Sequence, residues 1–223
     1  MWYAKPSGGY ETTSDEAKAN MFEFKDSLIS DWTIYAIAGA LGNIANESAF
    51  NPWRWQSDAV NYNAGYGLVQ FTPASGYINN YTNYANLSTS EITAGASPND
   101  GACQCDVLRN DSMGKWVDRS SYNLWYDLSS FSSFSAFKSV NNLYDATMAF
   151  LYNYEGNAVV LSRDEARQRA DFAIRYASAS TCYEIITGEP PGPGPVPSRT
   201  IENTLMKKYL KYGFFFWKKK ALD

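Results

Sequence analysis

The sequence predicts a predominantly helical α+β fold with a small β-hairpin region. Apolar residues recur at helical spacing in several segments, and residues that cap helices precede those segments. Residues 53–72 are rich in Gly, Asn and aromatic residues and lack a helical period, which predicts a loop with short strands. A chain of 223 residues with 45% hydrophobic residues can bury the core of one domain of ordinary size.

The two N-terminal helices are predicted from capping residues and apolar stripes. A capping box of Thr13 and Glu16 begins the first helix. The second runs from about Thr33 to Glu47, and Asn51-Pro52 ends this segment because a residue before proline disfavours helix. Gly39 and Gly42 in this helix permit a neighbouring helix to approach closely. Further helices are predicted over 73–85, 97–108, 132–140 and 142–154, and from a second capping box at Ser162 and Glu165.

Composition divides the chain into three parts: a domain over 1–188, a Pro/Gly-rich linker over 189–198 and a tail over 199–223. The tail has seven Lys/Arg and two acidic residues, a net charge of +5, so the rest of the chain carries −9. An acidic domain of this kind argues against nucleic acid as a partner. Three roles stay open for the tail: docking on a partner protein, contact with a membrane surface, or none.

Residue types missing from the chain exclude several chemistries. The chain has no histidine, which excludes Ser-His-Asp and Cys-His catalysis and His-ligated zinc. Cys103 and Cys105 have poor spacing for zinc, and with Cys182 they are expected to be reduced thiols. We therefore expect no metal and no cofactor. The first twenty residues lack the apolar core of a signal peptide, and no apolar run is long enough for a membrane span.

Glu47 is the candidate for acid chemistry. It lies at the margin of the apolar stripe of its helix, where partial burial disfavours a charged carboxylate. It is also at the helix C-terminus, where the macrodipole is negative. Both effects favour the protonated carboxylic acid, which is the form that a general acid for glycosidic cleavage requires.

Two motifs and one later segment resemble a known family. The motifs are GNIANESAFNPWRW and, about twenty residues later, GYGLVQFTPASGYINNY; the later segment is TMAFLYNYEG. They contain the Glu-Ser pair Glu47-Ser48, the Asn51-Pro52 pair and the Gly-Leu-x-Gln of residues 67–70. This combination resembles the phage tail lysozyme family, the muramidase domain of tail-tip proteins of podoviruses, within the superfamily of goose-type lysozymes and lytic transglycosylases.

The resemblance implies a lysozyme-like fold that cleaves the β-1,4 bond between N-acetylmuramic acid and N-acetylglucosamine of peptidoglycan. It implies that Glu47 is the catalytic acid, with Ser48 steadying the Glu47 loop or contacting the N-acetyl group. Gln70 would contact the substrate from the small strand pair, and Tyr154 would line the cleft opposite Glu47. Aromatic residues of the intervening loop supply candidate surfaces for stacking on sugars: Trp53, Trp55, Tyr62, Tyr66 and Phe71.

The second catalytic group and the biological setting stay open at this stage. An inverting hydrolase needs a second carboxylate, for which Asp58 is the first candidate and Glu155 the second. A single Glu with a positioned water, or a transglycosylase that forms an anhydro product, are the alternatives. The family resemblance favours a virion-associated tail enzyme, made in the host cytoplasm, that aids genome delivery. A free endolysin and a non-catalytic tail or wall-binding protein of lysozyme shape are the other hypotheses.

Overall fold

A computed structural model describes residues 2–5, 7–81 and 100–192 of the chain. It confirms a predominantly helical architecture. The α-helices of the described residues are α1 (Asp15–Leu28), α2 (Ile34–Glu47), α3 (Ala74–Tyr81), α4 (Asp100–Arg109), α5 (Phe134–Lys138), α6 (Leu143–Ala149), α7 (Ala158–Leu161) and α8 (Glu165–Thr187). A π-helical segment, Phe150–Glu155, directly continues α6.

Helix α2 is the centre of the fold. Every residue from Ala36 to Ile44 is buried, so this helix is covered on all sides, chiefly by α6 and α8. Gly39 lies against the backbone of Ala146 in α6, and Gly42 lies against Arg175 and Ala179 in α8. The close helix approach predicted from these two glycines is therefore confirmed.

Substituting Gly42 by Ala is expected to destabilise the protein. An added Cβ would lie 2.6 Å from the Arg175 carbonyl oxygen and 2.4 Å from the Ala179 Cβ, both held by the α8 backbone. We expect a loss of about 1–3 kcal/mol in the free energy of unfolding, measured by urea denaturation. Gly76→Ala in α3 is the control, because its Cβ meets only Met113 Cε at 3.5 Å. Equal stabilities of the two variants would contradict this packing.

The observed helix caps correct two predictions. Helix α1 is capped by Ser14, not Thr13: the Ser14 Oγ accepts a hydrogen bond from the Ala17 N–H. Helix α8 is capped by Asp164, not Ser162, which instead ends α7. Thr13 and Ser14 can both cap a helix, and so can Ser162 and Asp164. In each case the observed cap is the residue immediately before the first helical residue. Helix α2, predicted to begin at about Thr33, is capped by that residue.

The predicted β-hairpin is not formed in the described residues. In the loop 53–72 the pairing consists of two isolated antiparallel bridges, Trp55–Tyr66 and Tyr66–Phe71. Residues with positive φ interrupt the extended backbone, namely Ser57, Asp58, Gly67 and Gln70. Turns therefore replace strands in this loop.

The remaining sequence predictions concern the cysteines, membrane-spanning helices and the segments near residue 90 and at the C-terminus. Cys103, Cys105 and Cys182 are free, and the latter two are buried. Among the described helices, none has both the length and the apolar character needed to cross a membrane. The predicted helical segments 82–85 and 97–99, linker residues 193–198 and the tail over 199–223 lie outside the described residues.

Candidate functional site

The C-terminal turn of α2 positions Glu47. The helix ends there because Ala49 and Phe50 adopt positive φ values of 48° and 61°, which turn the chain away from the helix axis. The Ser48 N–H donates to the Ile44 carbonyl, and the buried Ser48 Oγ donates to the same oxygen at 3.3 Å. Ser48 thus steadies the turn that carries Glu47.

Five of the seven non-glycine residues with positive φ in the described structure cluster here, at Ala49, Phe50, Ser57, Asp58 and Gln70. Each such residue costs on the order of 1 kcal/mol or more, and such residues concentrate at functional sites. The backbone strain of the described chain is therefore concentrated in the region that follows Glu47.

Two cavities meet at Glu47 and Arg54, which line both. The first, of about 320 Å³, we call the Glu155 arm; it is also lined by Gln70, Lys115, Tyr154 and Glu155. The second, of about 580 Å³, we call the N-terminal arm; it is lined by residues 8–12 and by the end of α2. Glu47 and Arg54 therefore lie at the border of the two arms, which together we call the cleft.

A buried arginine on α8 holds the Glu47 carboxylate. The Arg175 Nη2 donates to Glu47 Oε1 at 2.7 Å, and its Nη1 donates to Asn43 Oδ1 at 3.2 Å. Its Nε lies 3.5 Å from Asp171 Oδ2. The Arg175 side chain is 6% exposed and that of Glu47 is 21% exposed, so this ion pair is largely shielded from water. A charge-assisted contact in such surroundings fixes the Glu47 side chain in one position.

The π-helical segment brings Tyr154 and Glu155 to the cleft. Such segments are frequent at functional sites because they re-aim the side chains that follow. The Arg119 Nη1 donates to the Asn153 carbonyl at 2.8 Å and to the Tyr152 carbonyl at 3.3 Å, which supports the end of the segment. The Tyr154 ring stacks on Phe150, and burial raises the pKa of its phenol. Tyr154 and Glu47 thus line one arm of the cleft.

Glu155 is a buried carboxyl group with one unsatisfied oxygen. Its Oε1 is inaccessible to water and has no hydrogen-bond partner among the described residues. Burial raises the pKa of Glu155 well above its ordinary value, and the nearby Glu47 carboxylate raises it further. Arg175 and Lys115 oppose this shift, and Asp171 adds to it. Burial therefore favours the protonated form of Glu155.

Substituting Glu155 by Gln should flatten part of the pH dependence of stability. An acid with a raised pKa in the folded state stabilises the fold below its unfolded pKa of about 4.3, and this contribution disappears as the pH rises through the folded pKa. Between these two pKa values the free energy of unfolding of the wild type should fall by about 1.4 kcal/mol per pH unit relative to that of Glu155→Gln. Urea unfolding between about pH 4 and pH 8 measures this. Glu184→Gln, at an exposed position of α8, is the control; parallel curves for the wild type and Glu155→Gln would refute the assignment.

A buried polar network shapes the loop that carries Gln70. The Gln104 Oε1 accepts from the Leu68 N–H at 2.7 Å, and its Nε2 donates to the Pro52 carbonyl and to Asp100. Gly67 is required here, because it has φ +83° and an added Cβ would lie 2.5 Å from Gln104 Oε1. The Gln70 Nε2 donates to the carbonyls of Arg54 and Gly67, which fixes Gln70 on the wall of the Glu155 arm.

The aromatic residues of this loop pack inward. Trp55 is 3% exposed and Tyr66 is fully buried, with their ring centroids 4.6 Å apart. The Tyr66 hydroxyl donates to Asp100 Oδ2. Trp53 and Phe71 are also buried, and Tyr62 is half-buried against the core. These rings fill the core beneath the loop, so the structure does not present Trp55 or Tyr66 as stacking surfaces along the cleft.

The structure separates Asp58 from the carboxyl groups of the cleft. Asp58 lines neither arm. Its Oδ1 accepts from the Gly8 N–H at 2.7 Å and lies 3.2 Å from Arg54 Nε, so it anchors the N-terminal segment. Of the two candidates for the second carboxylate, Glu155 is the one that the fold brings into the same arm as Glu47.

Two parts of the site were not foreseen from the sequence. Arg175 is 128 residues from Glu47, and only its i, i+4 spacing from Asp171 is a local signal. The contribution of residues 8–12 to the cleft has no motif that marks it. Within the described residues no group of His, Cys, Asp and Glu side chains has the arrangement of a metal site.

Comparison with known proteins agrees with the motifs. The sequence profile described as phage tail lysozyme matches residues 17–185, which span α1 to α8. The chain is 53% identical over 49 residues to "Morphogenesis protein 1" of Bacillus phage B103. That match covers 22% of this chain and 13% of the relative, so the chain matches only a small part of the relative's length. The extent of the profile match shows that this chain belongs to the phage tail lysozyme family.

Proposed function

We propose that this chain is a phage muramidase of lysozyme-like fold that cleaves the β-1,4 bond between N-acetylmuramic acid and N-acetylglucosamine in peptidoglycan. Membership of the phage tail lysozyme family supports a lysozyme-like glycosidase in general. The observation that carries the more specific proposal is the cleft, in which Glu47 lies at the junction of two arms. A polysaccharide chain needs binding space on both sides of the bond that is cut.

In the proposed reaction Glu47 is the general acid and Glu155 is the second carboxyl group. Glu47, Asp171 and Glu155 surround the single guanidinium of Arg175. Burial and the neighbouring Glu47 carboxylate both raise the pKa of Glu155, which supports a cluster that holds a proton. Before reaction this proton is on Glu47, and Glu155 is ionised. Glu47 must hold this proton when the glycan is cut, because the general acid gives a proton to the glycosidic oxygen.

The proton of Glu47 passes to the glycosidic oxygen as the bond from that oxygen to the anomeric carbon breaks. A water molecule adds to the anomeric carbon, and its proton passes to Glu155. The enzyme then has an ionised Glu47 paired with Arg175 and a neutral Glu155, and the raised pKa of Glu155 favours this neutral form. Return of the proton from Glu155 to Glu47 completes the cycle. In the alternative, transglycosylation, a sugar hydroxyl replaces the water and an anhydro product forms.

The remaining site residues have supporting roles in this proposal. Ser48 holds the turn after Glu47, Gln70 contacts the sugar in the Glu155 arm, and Tyr154 forms part of the wall of that arm. Trp55 and Tyr66 support the loop from the core. Neither a metal nor a cofactor takes part in the proposed steps.

Clearing of a peptidoglycan-containing gel by the purified chain tests the proposed activity. The wild type is expected to clear, and failure to clear peptidoglycan from several cell-wall types would overturn the enzyme proposal. It would favour the hypothesis of a non-catalytic protein with a lysozyme shape. Wall preparations of differing cross-links are needed because the family match does not specify a host.

We propose further that the enzyme is a component of the virion rather than a free endolysin. The family is one of tail lysozymes, and the relative in Bacillus phage B103 is named a morphogenesis protein. In this proposal the basic tail over 199–223 docks on another tail protein, and a membrane surface is its alternative target. Mass spectrometry of purified particles should detect the chain. Its absence from particles, with abundance in lysates, would favour an endolysin.

A further inference from the structure

The N-terminal arm of the cleft has a wall that lies outside the family-matched residues. Residues 8–12 face the end of α2 across a cavity of about 580 Å³. The match to the family begins at residue 17. This wall therefore lies outside the matched residues, and it adjoins Glu47 and Arg54.

The N-terminal wall is fixed to the turn that follows Glu47. The Asn51 Nδ2 donates to the carbonyls of Lys5 and Gly8, both at 2.8 Å, and the Tyr10 N–H donates to the Ala49 carbonyl at 2.8 Å. At Gly9 the approach is so close that an added Cβ would lie 2.2 Å from the Ala49 Cβ. Together with the hydrogen bond from the Gly8 N–H to Asp58, these bonds hold residues 8–12 in place as a fixed wall of the cleft.

The groups that line this arm suit the recognition of sugar hydroxyls. Tyr10 and Thr12 supply hydroxyl groups from the wall, and Asn46 supplies an amide from α2. Lys5 Nζ lies 4.5 Å from the centre of the Tyr10 ring, which orients the half-buried ring. Hydroxyls and amides both donate and accept hydrogen bonds, as the hydroxyl and N-acetyl groups of a peptidoglycan strand do.

We propose that residues 8–12 form a glycan-binding subsite on one side of the scissile bond. The peptidoglycan strand then runs from the Glu155 arm, past Glu47, into the N-terminal arm. There the hydroxyls of Tyr10 and Thr12 bind the sugar units beyond the bond that is cut. This inference rests on the proposed function, because it takes the glycan strand as the ligand of the cleft.

The test uses substitutions that remove only hydroxyl groups. Tyr10→Phe and Thr12→Val keep the ring and the side-chain volume, and Ser7→Ala is the matched control, since Ser7 is exposed in the same segment and does not line the arm. Binding of peptide-free glycan strands to the full chain carrying Glu47→Gln is measured by calorimetry. Each hydroxyl removed is expected to weaken binding roughly three- to tenfold, the effect of one lost hydrogen bond. Ser7→Ala should leave the affinity unchanged.

A second measurement applies the same substitutions to the active chain. They should raise KM for glycan strands and leave kcat within about twofold, because uniform binding is lost while Glu47 is unaltered. Unchanged affinity and KM in the Tyr10→Phe/Thr12→Val double variant would overturn the subsite and leave the muramidase proposal intact. Failure of every variant, and of the wild type, to bind or cleave glycan would overturn both proposals.

Discussion

Glu47→Gln is expected to lower the rate of peptidoglycan cleavage by about 10²- to 10⁴-fold, the contribution typical of a general acid. Glutamine keeps the shape of the side chain and can still accept a hydrogen bond from Arg175, but it has no proton to give to the glycosidic oxygen. The measurement is the initial rate of release of soluble fragments from purified cell walls. Rates are compared at a temperature where circular dichroism shows both proteins to be folded.

Asp58→Asn is the control for this result. Asp58 lines neither arm of the cleft and contacts Gly8 and Arg54 instead, so the rate should fall by less than about tenfold. A loss as large as that of Glu47→Gln would return Asp58 to the role of second carboxylate. Full activity of Glu47→Gln would exclude Glu47 as the acid.

Arg175→Met is expected to have the largest effect on stability. Methionine fills much of the space of the arginine stem but leaves Glu47 and Asp171 without their shared cation. Breaking a buried ion pair by removing one partner costs about 3–5 kcal/mol, a large part of the stability of an ordinary domain. The free energy of unfolding from urea denaturation measures this loss.

Arg169→Met on the same helix is the matched control. Arg169 pairs with Glu165 at 2.6 Å, but the Glu165 side chain is 49% exposed. An ion pair at the surface contributes about 1 kcal/mol or less. Equal losses in the free energy of unfolding of the two variants would contradict the conclusion that Arg175 is the buried cation that pairs with Glu47 and Asp171.

The central helix could be predicted from sequence because local signals determine it. Thr33 is a cap, the apolar spacing marks the interior of α2, and Gly39 and Gly42 mark its contacts. Glu47 could be placed at the end of this helix for the same reason. The cap of α1 was wrong by one residue because Thr13 and Ser14 are both able to cap, and the choice depends on how the helix packs.

The surroundings of Glu47 depend on contacts between distant parts of the chain. Arg175 reaches Glu47 because α8 packs on α2 at Gly42. Gly42 predicts that a helix approaches there, but no local pattern identifies α8 as that helix. Aromatic residues such as Trp55 and Tyr66 occur both in cores and in sugar sites, and composition does not distinguish the two. The hydrogen bonds of Asp100 and Gln104 hold the loop that contains Trp55 and Tyr66 against the domain, and the two rings are therefore buried.

The proposal that this chain is a muramidase is tested most directly by mass spectrometry of the fragments that it releases from purified peptidoglycan. Cleavage with water is expected to give fragments whose new reducing end is N-acetylmuramic acid, and Glu47→Gln should release almost none of them. Anhydromuramic ends would show that the Glu47 site catalyses transglycosylation without water. Fragments with cut stem peptides and intact glycan strands would contradict the proposed function.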